Sequence, residues 1–248
     1  MSKIISITNH KGGVGKTTSA INIGAGLSKL GKKILLVDLD PQANMSISLG
    51  ITETEKNIYG ALKGDYKPEL ISVDSLSIIP SNLDLSGAEI ELSSETGREY
   101  LLKELLEPLR KDFDYILIDT PPSLGLLTLN SLTASQSLLI PLQAEYLALK
   151  GLSKLLEIIE KVRKRLNKEL EIGGVFITQY DNRKILNRDV LATIQTHFKD
   201  KLFNTKIRDN IALAEAPAKG VDIFRYNPKS YGAEDYLELC KEIIKENQ

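Results

Sequence analysis

A glycine-rich, lysine-containing segment near the N-terminus carries the clearest chemistry in the chain. It reads KGGVGKTT, follows a short apolar run and precedes a stretch with helical spacing. Glycines permit a tight turn that directs backbone N–H groups at phosphate oxygens, and a helix start adds partial positive charge. A lysine here can reach the β- and γ-phosphates, and a threonine hydroxyl can ligate Mg²⁺. We therefore predict a nucleotide and Mg²⁺ site at Lys11, Gly12, Gly13, Val14, Gly15, Lys16, Thr17 and Thr18.

The segment departs from the strict phosphate-loop pattern G-x-x-x-x-G-K-[ST] at its first position. His10 stands where the strict pattern has glycine, and the chain instead matches the variant K-G-G-x-G-K-[ST] with an additional Lys11. We interpret His10 as a loop residue. The other histidine, His197, is distant in sequence, so a histidine-based metal site has little support.

Three aspartates follow or end apolar runs that predict buried strands. Asp38 and Asp40 are spaced i, i+2 after one run, and Asp119 ends the run YILID. Alternate residues of a strand project to the same side, so two such acids can face one site. Carboxylates hold the waters that Mg²⁺ retains. The open alternative is that one of these acids, Asp38 above all, only caps a helix.

The elements that must position these groups alternate along the chain. Alternating strands and helices predict an α/β fold, with a mostly parallel twisted sheet flanked by helices on both faces. Ligands in such folds lie at the carboxyl ends of the strands, where the aspartates are placed. Strands are predicted over 3–8, 33–39, 76–80, 115–119, 137–141 and 172–178, and helices over 15–30, 97–111, 147–166, 187–198 and 233–245.

Composition narrows the class of protein. The 248 residues fit one domain over 1–248, and the single cysteine, Cys240, excludes an internal disulfide and multi-cysteine metal sites. No apolar run is long enough to cross a bilayer, and we expect a cytoplasmic protein. The net charge is −1, yet residues 150–229 hold 17 Lys and Arg against 10 Asp and Glu. A nucleic-acid face or ordinary solvated helices both explain that segment.

These features resemble the deviant Walker A family of P-loop ATPases, and within it the ParA/Soj partitioning branch. The resemblance covers nearly the whole chain and includes no helix-turn-helix extension before the loop. The single cysteine argues against the iron-protein branches, and the single loop against the arsenite-pump branch. The acidic C-terminal segment argues against the membrane-binding MinD branch and predicts no membrane contact. The segments that carry the resemblance are 76–81 (LSIIPS), 87–92 (GAEIEL), 115–132 (YILIDTPPSLGLLTLNSL), 141–152 (PLQAEYLALKGL), 178–183 (TQYDNR), 213–217 (LAEAP) and 231–239 (YGAEDYLEL).

The resemblance implies roles for the residues already singled out. Lys11 would cross a dimer interface to the nucleotide of the partner subunit, and Lys16 would bind phosphate within its own subunit. Asp40 would position the attacking water. Asp38 and Asp119 would hold the Mg²⁺ shell through water, with Thr17 as a direct ligand. Lys11, Lys16 and Asp40 are thus the predicted catalytic residues.

The chain departs from the family pattern on the base side and on the DNA side. The proline that helps frame adenine is Arg208 here, whereas Asn210 matches the base-side asparagine. Ala212 and Asp209 stand where the family commonly has arginines. Arg183 does match a family arginine implicated in DNA contact. The predicted DNA-binding residues are Arg183, Lys184, Arg188, Arg208 and Lys219.

The residues themselves predict a Mg²⁺-dependent P-loop ATPase, and the family resemblance implies that it partitions DNA. The resemblance implies an ATP-dependent homodimer that binds double-stranded DNA without sequence preference and associates with the nucleoid. A ParB-type centromere-binding partner would stimulate hydrolysis and so reset the protein. The alternative is a related ATPase that positions a protein cargo without contacting DNA, which Asp209 and Ala212 favour. A small-molecule kinase or synthase lacks support, since no second substrate motif is present.

Overall fold

The computed structural model describes residues 2–145 and 148–246. Within them, one eight-stranded sheet runs through the molecule. The central strands are rich in Ile, Leu and Val and are buried along nearly their whole length, as expected for strands covered on both faces. The strands are β1 (Lys3–Ile7), β2 (Ile34–Asp38), β3 (Ile71–Val73), β4 (Leu76–Ile79), β5 (Tyr115–Asp119), β6 (Ser137–Gln143), β7 (Glu171–Tyr180) and β8 (Leu202–Arg208).

The strand order is β3-β4-β2-β5-β1-β6-β7-β8, and every pairing is parallel except β3 with β4. The central strands β2, β5 and β1 are in register, so that Asp38 lies opposite Asp119 and Ile7 also pairs with Asp119. The carboxyl ends of the central strands therefore meet at one edge of the sheet. The phosphate loop and the aspartates leave the sheet from this edge.

Helices cover both faces of the sheet. They are α1 (Lys16–Lys29), α2 (Asn44–Ser48), α3 (Ile58–Lys63), α4 (Ala88–Glu91), α5 (Leu101–Leu106), α6 (Leu126–Ala134), α7 (Ala148–Arg165), α8 (Ile185–Phe198), α9 (Ile211–Glu215), α10 (Ile223–Tyr226) and α11 (Tyr231–Glu246).

Alternate residues of β2 divide between two cores. Ile34 and Leu36 pack with α1 and α11, whereas Leu35 and Val37 pack with α3, α5 and α6. A third core lies between α7, α8 and the strands β6 and β7.

The predicted fold class is confirmed, and the predicted strands lie within one or two residues of the observed ones. The helix predicted over 97–111 is wrong in extent. Gly97 has a left-handed φ of 72°, and the α-helical part covers only Leu101–Leu106 before a 3₁₀ turn that contains Pro108. The helix predicted from 147 is observed from Ala148, and Leu147 lies outside the described residues. The edge strands β3 and β8 and the helix α6 were not predicted.

Candidate nucleotide site

The phosphate loop connects β1 to α1. Gly13 and Gly15 have φ values of 75° and 82°, a conformation that side chains disfavour, and α1 begins directly after Gly15. The first N–H groups of this 14-residue helix point into the loop without a side-chain cap. Unpaired helix N–H groups together with the helix dipole make an anion site. The predicted phosphate-binding conformation is therefore present.

Side chains from the ends of β6 and β7 hold the carbonyl oxygens of the loop. The Thr178 hydroxyl donates to the Val14 carbonyl over 2.9 Å, and the Gln179 amide donates to the Gly13 carbonyl over 2.9 Å. The Gln143 amide reaches the same Gly13 oxygen at 3.3 Å. With the carbonyl oxygens occupied, the N–H groups of the loop are left for a ligand. No local sequence signal marks these supports beyond their place in segments 141–152 and 178–183.

Lys16 lies beneath the loop with only 7% of its surface exposed. Its ammonium donates to the Lys11 carbonyl over 3.3 Å. Burial lowers the pKa of Lys16, and the nearby carboxylates of Asp119 and Asp40 oppose that change. The structure thus brings together the phosphate-site lysine and two of the predicted carboxylates.

Asp38 and Asp119 are fully buried on adjacent strands. Burial raises the pKa of Asp38 to about 6, and hydrogen bonds from Ser46 and Asp40 moderate the rise. Burial and the charge of Asp38 raise the pKa of Asp119 well above its ordinary range, which Thr17 and Lys16 oppose. Like charges on adjacent buried carboxylates disfavour joint ionisation, so a bound cation would favour the doubly ionised pair.

The carboxylate pair fits a Mg²⁺ ion. Neither buried oxygen of Asp119 makes a hydrogen bond of ordinary geometry among the described residues, although the Thr17 hydroxyl is near enough to lower the Asp119 pKa. Those residues also contain no cluster of three or more His, Cys, Asp or Glu side chains able to cage a metal. Mg²⁺ in nucleotide sites is held mainly by phosphates and water, with one or two carboxylates. When bound, it neutralises phosphate charge, and Thr17, Asp38 and Asp119 are the residues placed to hold it.

Asp38 also caps a helix, so the alternative role is present as well. One carboxylate oxygen accepts the backbone N–H of Ser46 at 2.9 Å and its hydroxyl at 2.7 Å, near the start of α2. The other oxygen accepts the Asp40 N–H at 3.2 Å. Asp38 both caps α2 and lies opposite Asp119, so it connects α2 to the carboxylate pair.

Asp40 begins a tight turn that fixes its direction. Ala43 N–H donates to the Asp40 carbonyl, with Pro41 at the second position, and the Asp40 carboxylate accepts the Gln42 N–H. An aspartate at the first position and a proline at the second are typical of this turn. Asp40 is 6% exposed and lines a cleft of about 440 Å³ with Gly13, Lys16 and Thr17.

Lys11 is placed differently from Lys16. Its ammonium contacts the Glu145 carboxylate at 2.5 Å and donates to the side-chain amide oxygen of Gln143 over 3.3 Å, on the outside of the loop. The lysine side chain is 35% exposed and the glutamate 53% exposed. Exposed ion pairs contribute little to stability, so the contact leaves Lys11 free to exchange partners.

A second cleft of about 300 Å³ continues from Gly15 and Thr18 toward the end of β8. It is lined by Arg208, Asp209, Asn210 and Tyr236 among others. The Asn210 side chain caps α9 by accepting the Ala212 N–H at 3.1 Å. Both residues predicted for the base side, Arg208 and Asn210, thus line one cleft that adjoins the phosphate loop.

Arg208 is engaged inside the molecule. Its guanidinium pairs with Asp235 and Glu234, each at 2.5 Å, and stacks over the Tyr231 ring at 4.1 Å. Hydrogen bonding to Asp235 is the main cause that raises the pKa of Arg208 above its ordinary value. To bind a nucleotide base or DNA, Arg208 has to give up its ion pairs with these two carboxylates.

The predicted DNA-binding residues fall in separate places. Arg183 and Arg208 line one open cleft of about 500 Å³, together with Lys206, Asp181 and Asp209. Lys184 and Arg188 are exposed near the start of α8, and Lys219 is exposed after α9. These three do not line that cleft. Arg183 is 86% exposed and pairs with Asp181 at 2.9 Å.

The fold and the site define a P-loop nucleoside triphosphatase with a second lysine in its loop. A protein-family model described as an AAA domain (AAA_31) matches residues 2–172. The chain is 48% identical to "Sporulation initiation inhibitor protein Soj" of Bacillus subtilis, over 98% of both chains. It is 47% identical to "Chromosome-partitioning ATPase Soj" of Treponema pallidum, again over 98% of both. The chain belongs to the Soj/ParA family of partitioning ATPases.

Solved structures extend the likeness. The structure titled cobyrinic acid a,c-diamide synthase from Mycobacterium smegmatis, with bound ATP analogue and magnesium, has a TM-score of 0.91 and 37% identity. It covers 100% of this chain and 96% of that one. A putative plasmid partition protein from Borrelia burgdorferi, bound to AMPPNP, has a TM-score of 0.83, 32% identity and full coverage of both chains. Family membership and the site's geometry make this protein an ATPase with ATP and Mg²⁺ as cofactors.

No helix in the described part of the chain is long and apolar enough to cross a membrane. The longest is α7, and it carries many charged side chains.

Proposed function

We propose that this protein is a DNA-partitioning ATPase in which Mg·ATP drives formation of a homodimer that binds double-stranded DNA without sequence preference. A ParB-type centromere-binding partner stimulates hydrolysis, which resets the dimer and releases the DNA. The protein acts in the cytoplasm, associated with the nucleoid, and residues 1–248 work as one ATPase domain. The observation that carries the proposal is the phosphate loop, which has an outward Lys11 and shares a cleft with a fixed Asp40, in a chain of partitioning-family sequence.

Hydrolysis in this site rests on positioning and on charge stabilisation. Lys16, below the loop, offsets the charge of the transferring phosphoryl group, and Asp40 orients the attacking water. Thr17 ligates the ion, with Asp38 and Asp119 holding its water shell. Loop N–H groups from Gly12 to Thr18 hold the remaining phosphate oxygens.

Dimerisation adds a second lysine to the positive charge around each nucleotide. Lys11 lies on the outer side of the loop, where a second subunit can offer it a phosphate in place of Glu145. A phosphate carries more charge than a carboxylate, so the exchange favours the ATP-bound pair. Hydrolysis then depends on assembly, and the protein works as a timed switch.

The DNA surface includes Arg183 and the exposed basic residues around it. Arg183 is largely exposed and its partner Asp181 is its neighbour in the same loop. Lys184 and Arg188 extend the positive charge along the start of α8. Contacts of this kind reach phosphates, so they carry no base code and weaken as salt rises.

The second candidate function is an ATPase switch that positions a protein cargo without touching DNA. The favouring observation is that both arginines of the open cleft are paired with carboxylates, and Asp209 adds further negative charge. In that function the ATP-dependent dimer forms, but its basic face binds no duplex.

The separating experiment measures binding of the Asp40→Ala protein to a random-sequence duplex. It is run with Mg·ATP, with Mg·ADP and without nucleotide, across a salt series. DNA partitioning predicts binding only with ATP, lost as salt rises. An ATP-dependent dimer that binds no duplex in any state contradicts DNA partitioning and supports cargo positioning.

A pair of charge reversals tests the surface. Arg183→Glu is expected to weaken duplex binding without changing ATP affinity. The matched control is Arg163→Glu on α7, since Arg163 is also an exposed arginine paired with one nearby acid, Glu160. Equal loss of DNA binding in both variants contradicts a specific role for Arg183.

A further inference from the structure

Two buried serines connect the carboxylates of the site to the neighbouring strand. Ser46 lies in α2 and Ser81 follows the end of β4, and they are 1% and 4% exposed. They are separated by 35 positions in sequence, yet the backbone N–H of Ser81 donates to the Ser46 hydroxyl oxygen over 3.0 Å. Neither residue belongs to the phosphate loop or to the predicted site.

The directions of the hydrogen bonds at Ser46 follow from chemistry alone. A backbone N–H can only donate, so the Ser46 oxygen is the acceptor from Ser81. The single Ser46 proton is then free to go to Asp38, whose carboxylate oxygen lies 2.7 Å away. The Ser46 N–H donates to the same oxygen at 2.9 Å. Ser46 therefore fixes one oxygen of Asp38 from two directions.

Ser81 restrains Asp40 through a hydrogen bond to the backbone of Asp40. The Ser81 hydroxyl donates to the Asp40 carbonyl oxygen over 2.9 Å. The same oxygen accepts the Ala43 N–H at 2.9 Å, so both of its lone pairs are used. The peptide plane after Asp40 cannot rotate without breaking a buried hydrogen bond. Ser81 thereby restrains the turn that directs the Asp40 carboxylate.

We propose that Ser46 and Ser81 are positioning residues of the ATPase reaction: Ser46 fixes the carboxylate of Asp38, and Ser81 fixes the turn that carries Asp40. This inference rests on the proposed roles of Asp38 in the ion's water shell and of Asp40 in orienting water. Groups that orient a metal's surroundings change metal affinity or activity by roughly 10- to 100-fold when removed. A shift of about 1 Å in a catalytic group can cost about 100-fold in rate.

The two serines have separable effects. Ser46→Ala is expected to raise the Mg²⁺ concentration needed for binding of a fluorescent ATP analogue about 10-fold. Ser81→Ala is expected to lower kcat about 10-fold, with the affinity for the analogue changed less than about 2-fold. Ser46→Cys keeps nearly the same side-chain volume but hydrogen-bonds weakly, so it should follow the alanine variant without leaving a cavity.

Ser135→Ala is the matched control. Ser135 is also fully buried and also bonds through its hydroxyl, to the Ser131 carbonyl at 2.9 Å and to the Ser6 hydroxyl at 2.6 Å, away from the carboxylates. A purely structural role predicts equal losses of thermal stability in Ser135→Ala and Ser81→Ala, with kcat unchanged in both. That result overturns the inference for Ser81. An unchanged Mg²⁺ requirement in both Ser46 variants overturns it for Ser46.

Asp40→Ala, measured in parallel, separates the inference from the proposed function. Wild-type turnover in Asp40→Ala removes the proposed role of Asp40, and the inference for Ser81 falls with it. Loss of turnover in Asp40→Ala together with wild-type kcat in Ser81→Ala overturns only the positioning role. Loss in both variants, with ATP affinity kept, is the result expected.

Discussion

The Cys240 thiol on α11 donates a hydrogen bond to the Ile23 carbonyl of α1 over 3.4 Å. The thiol is completely buried, and burial raises its pKa above the ordinary value. Helix α11 therefore packs against α1, the helix that starts at the phosphate loop. Tyr236 reinforces the contact, since its hydroxyl lies 3.0 Å from that of Ser19.

Cys240 is expected to resist alkylation in the native protein. Only the thiolate reacts, and both burial and the raised pKa suppress it, so a maleimide should label the native chain far more slowly than the denatured chain. Raising the pH from 7 to 9 should not remove the protection. The control is Ser94→Cys in a Cys240→Ala background, where the cysteine is exposed. Equal labelling rates in both proteins contradict the packing of α11 against α1.

Gly26→Ala is expected to destabilise the protein although alanine favours helices. A methyl group at Gly26 would lie 2.6 Å from the Cys240 sulfur and 3.3 Å from the Phe224 ring. Overpacking of this kind typically costs about 1–3 kcal/mol in the free energy of unfolding. Chemical denaturation measures the loss.

The variant Cys240→Ala tests whether the contact with the Cys240 sulfur causes the loss of stability in Gly26→Ala. Removing the sulfur makes room for the methyl group, so the double variant should lose less stability than the sum of the two single changes. Strict additivity would mean that Gly26 is required for another reason.

The nucleotide-free protein is expected to lose stability as pH rises from about 4 to about 6. The pKa of Asp38 is about 6 in the folded chain and roughly 3.9 when unfolded, so in this window the folded state binds more protons. Stability then falls as pH rises, by on the order of 2–3 kcal/mol. Asp119 contributes with the same sign because its pKa is also raised.

Thermal melting with a chelator, between pH 4.5 and 7.5, measures this dependence. Asp38→Asn removes one titrating carboxylate and should flatten the slope. An identical slope in the two proteins would mean that Asp38 is not the group responsible.

Gln179 is expected to increase ATP affinity through its hydrogen bond to the phosphate loop, although its own backbone is strained. It has a left-handed φ of 52° and donates to the Gly13 carbonyl of the phosphate loop. Gln179→Ala loses the hydrogen bond and keeps the strain, so ATP affinity and stability should both fall. Gln179→Gly loses the bond but relieves the backbone, by about 1 kcal/mol or more.

Comparison of the two variants isolates each effect. ATP affinity should be equally weakened in both, by a few-fold, since the contact is solvent-exposed. The glycine variant should melt at the higher temperature. Wild-type ATP affinity in both would remove Gln179 as a support of the loop.

Residues that act within one sequence segment were predictable, and residues that act across segments were not. The KGGVGKTT motif and the strand that ends at Asp119 could be predicted because the motif and the apolar run are each continuous in sequence. Ser46, Ser81 and Gln179 carry no local signal, since each has a partner in a distant segment of the chain.

The unpredicted elements have similar causes. Strand β8 (LFNTKIR) is an edge strand, most of whose residues are exposed or only partly buried, so its hydrophobic pattern is weak. Helix α6 (LLTLNSLTA) is buried nearly all round, and uncharged polar residues are mixed with its leucines, so it lacks the one-sided apolar pattern that marks a surface helix. The engagement of Arg208 by Asp235 depends on α11 returning to β8, which the local sequence does not show.

The packing of α11 against α1 also affects the state of the chain during its synthesis. The residues that touch are 217 positions apart, so a ribosome working at about 5–20 residues per second completes α11 roughly 10 to 40 s after α1. During that interval the apolar side of the nucleotide-binding helix has no cover. A nascent chain of this protein is therefore a natural client for holding chaperones, and a product truncated before α11 exposes that surface permanently, marking it for degradation.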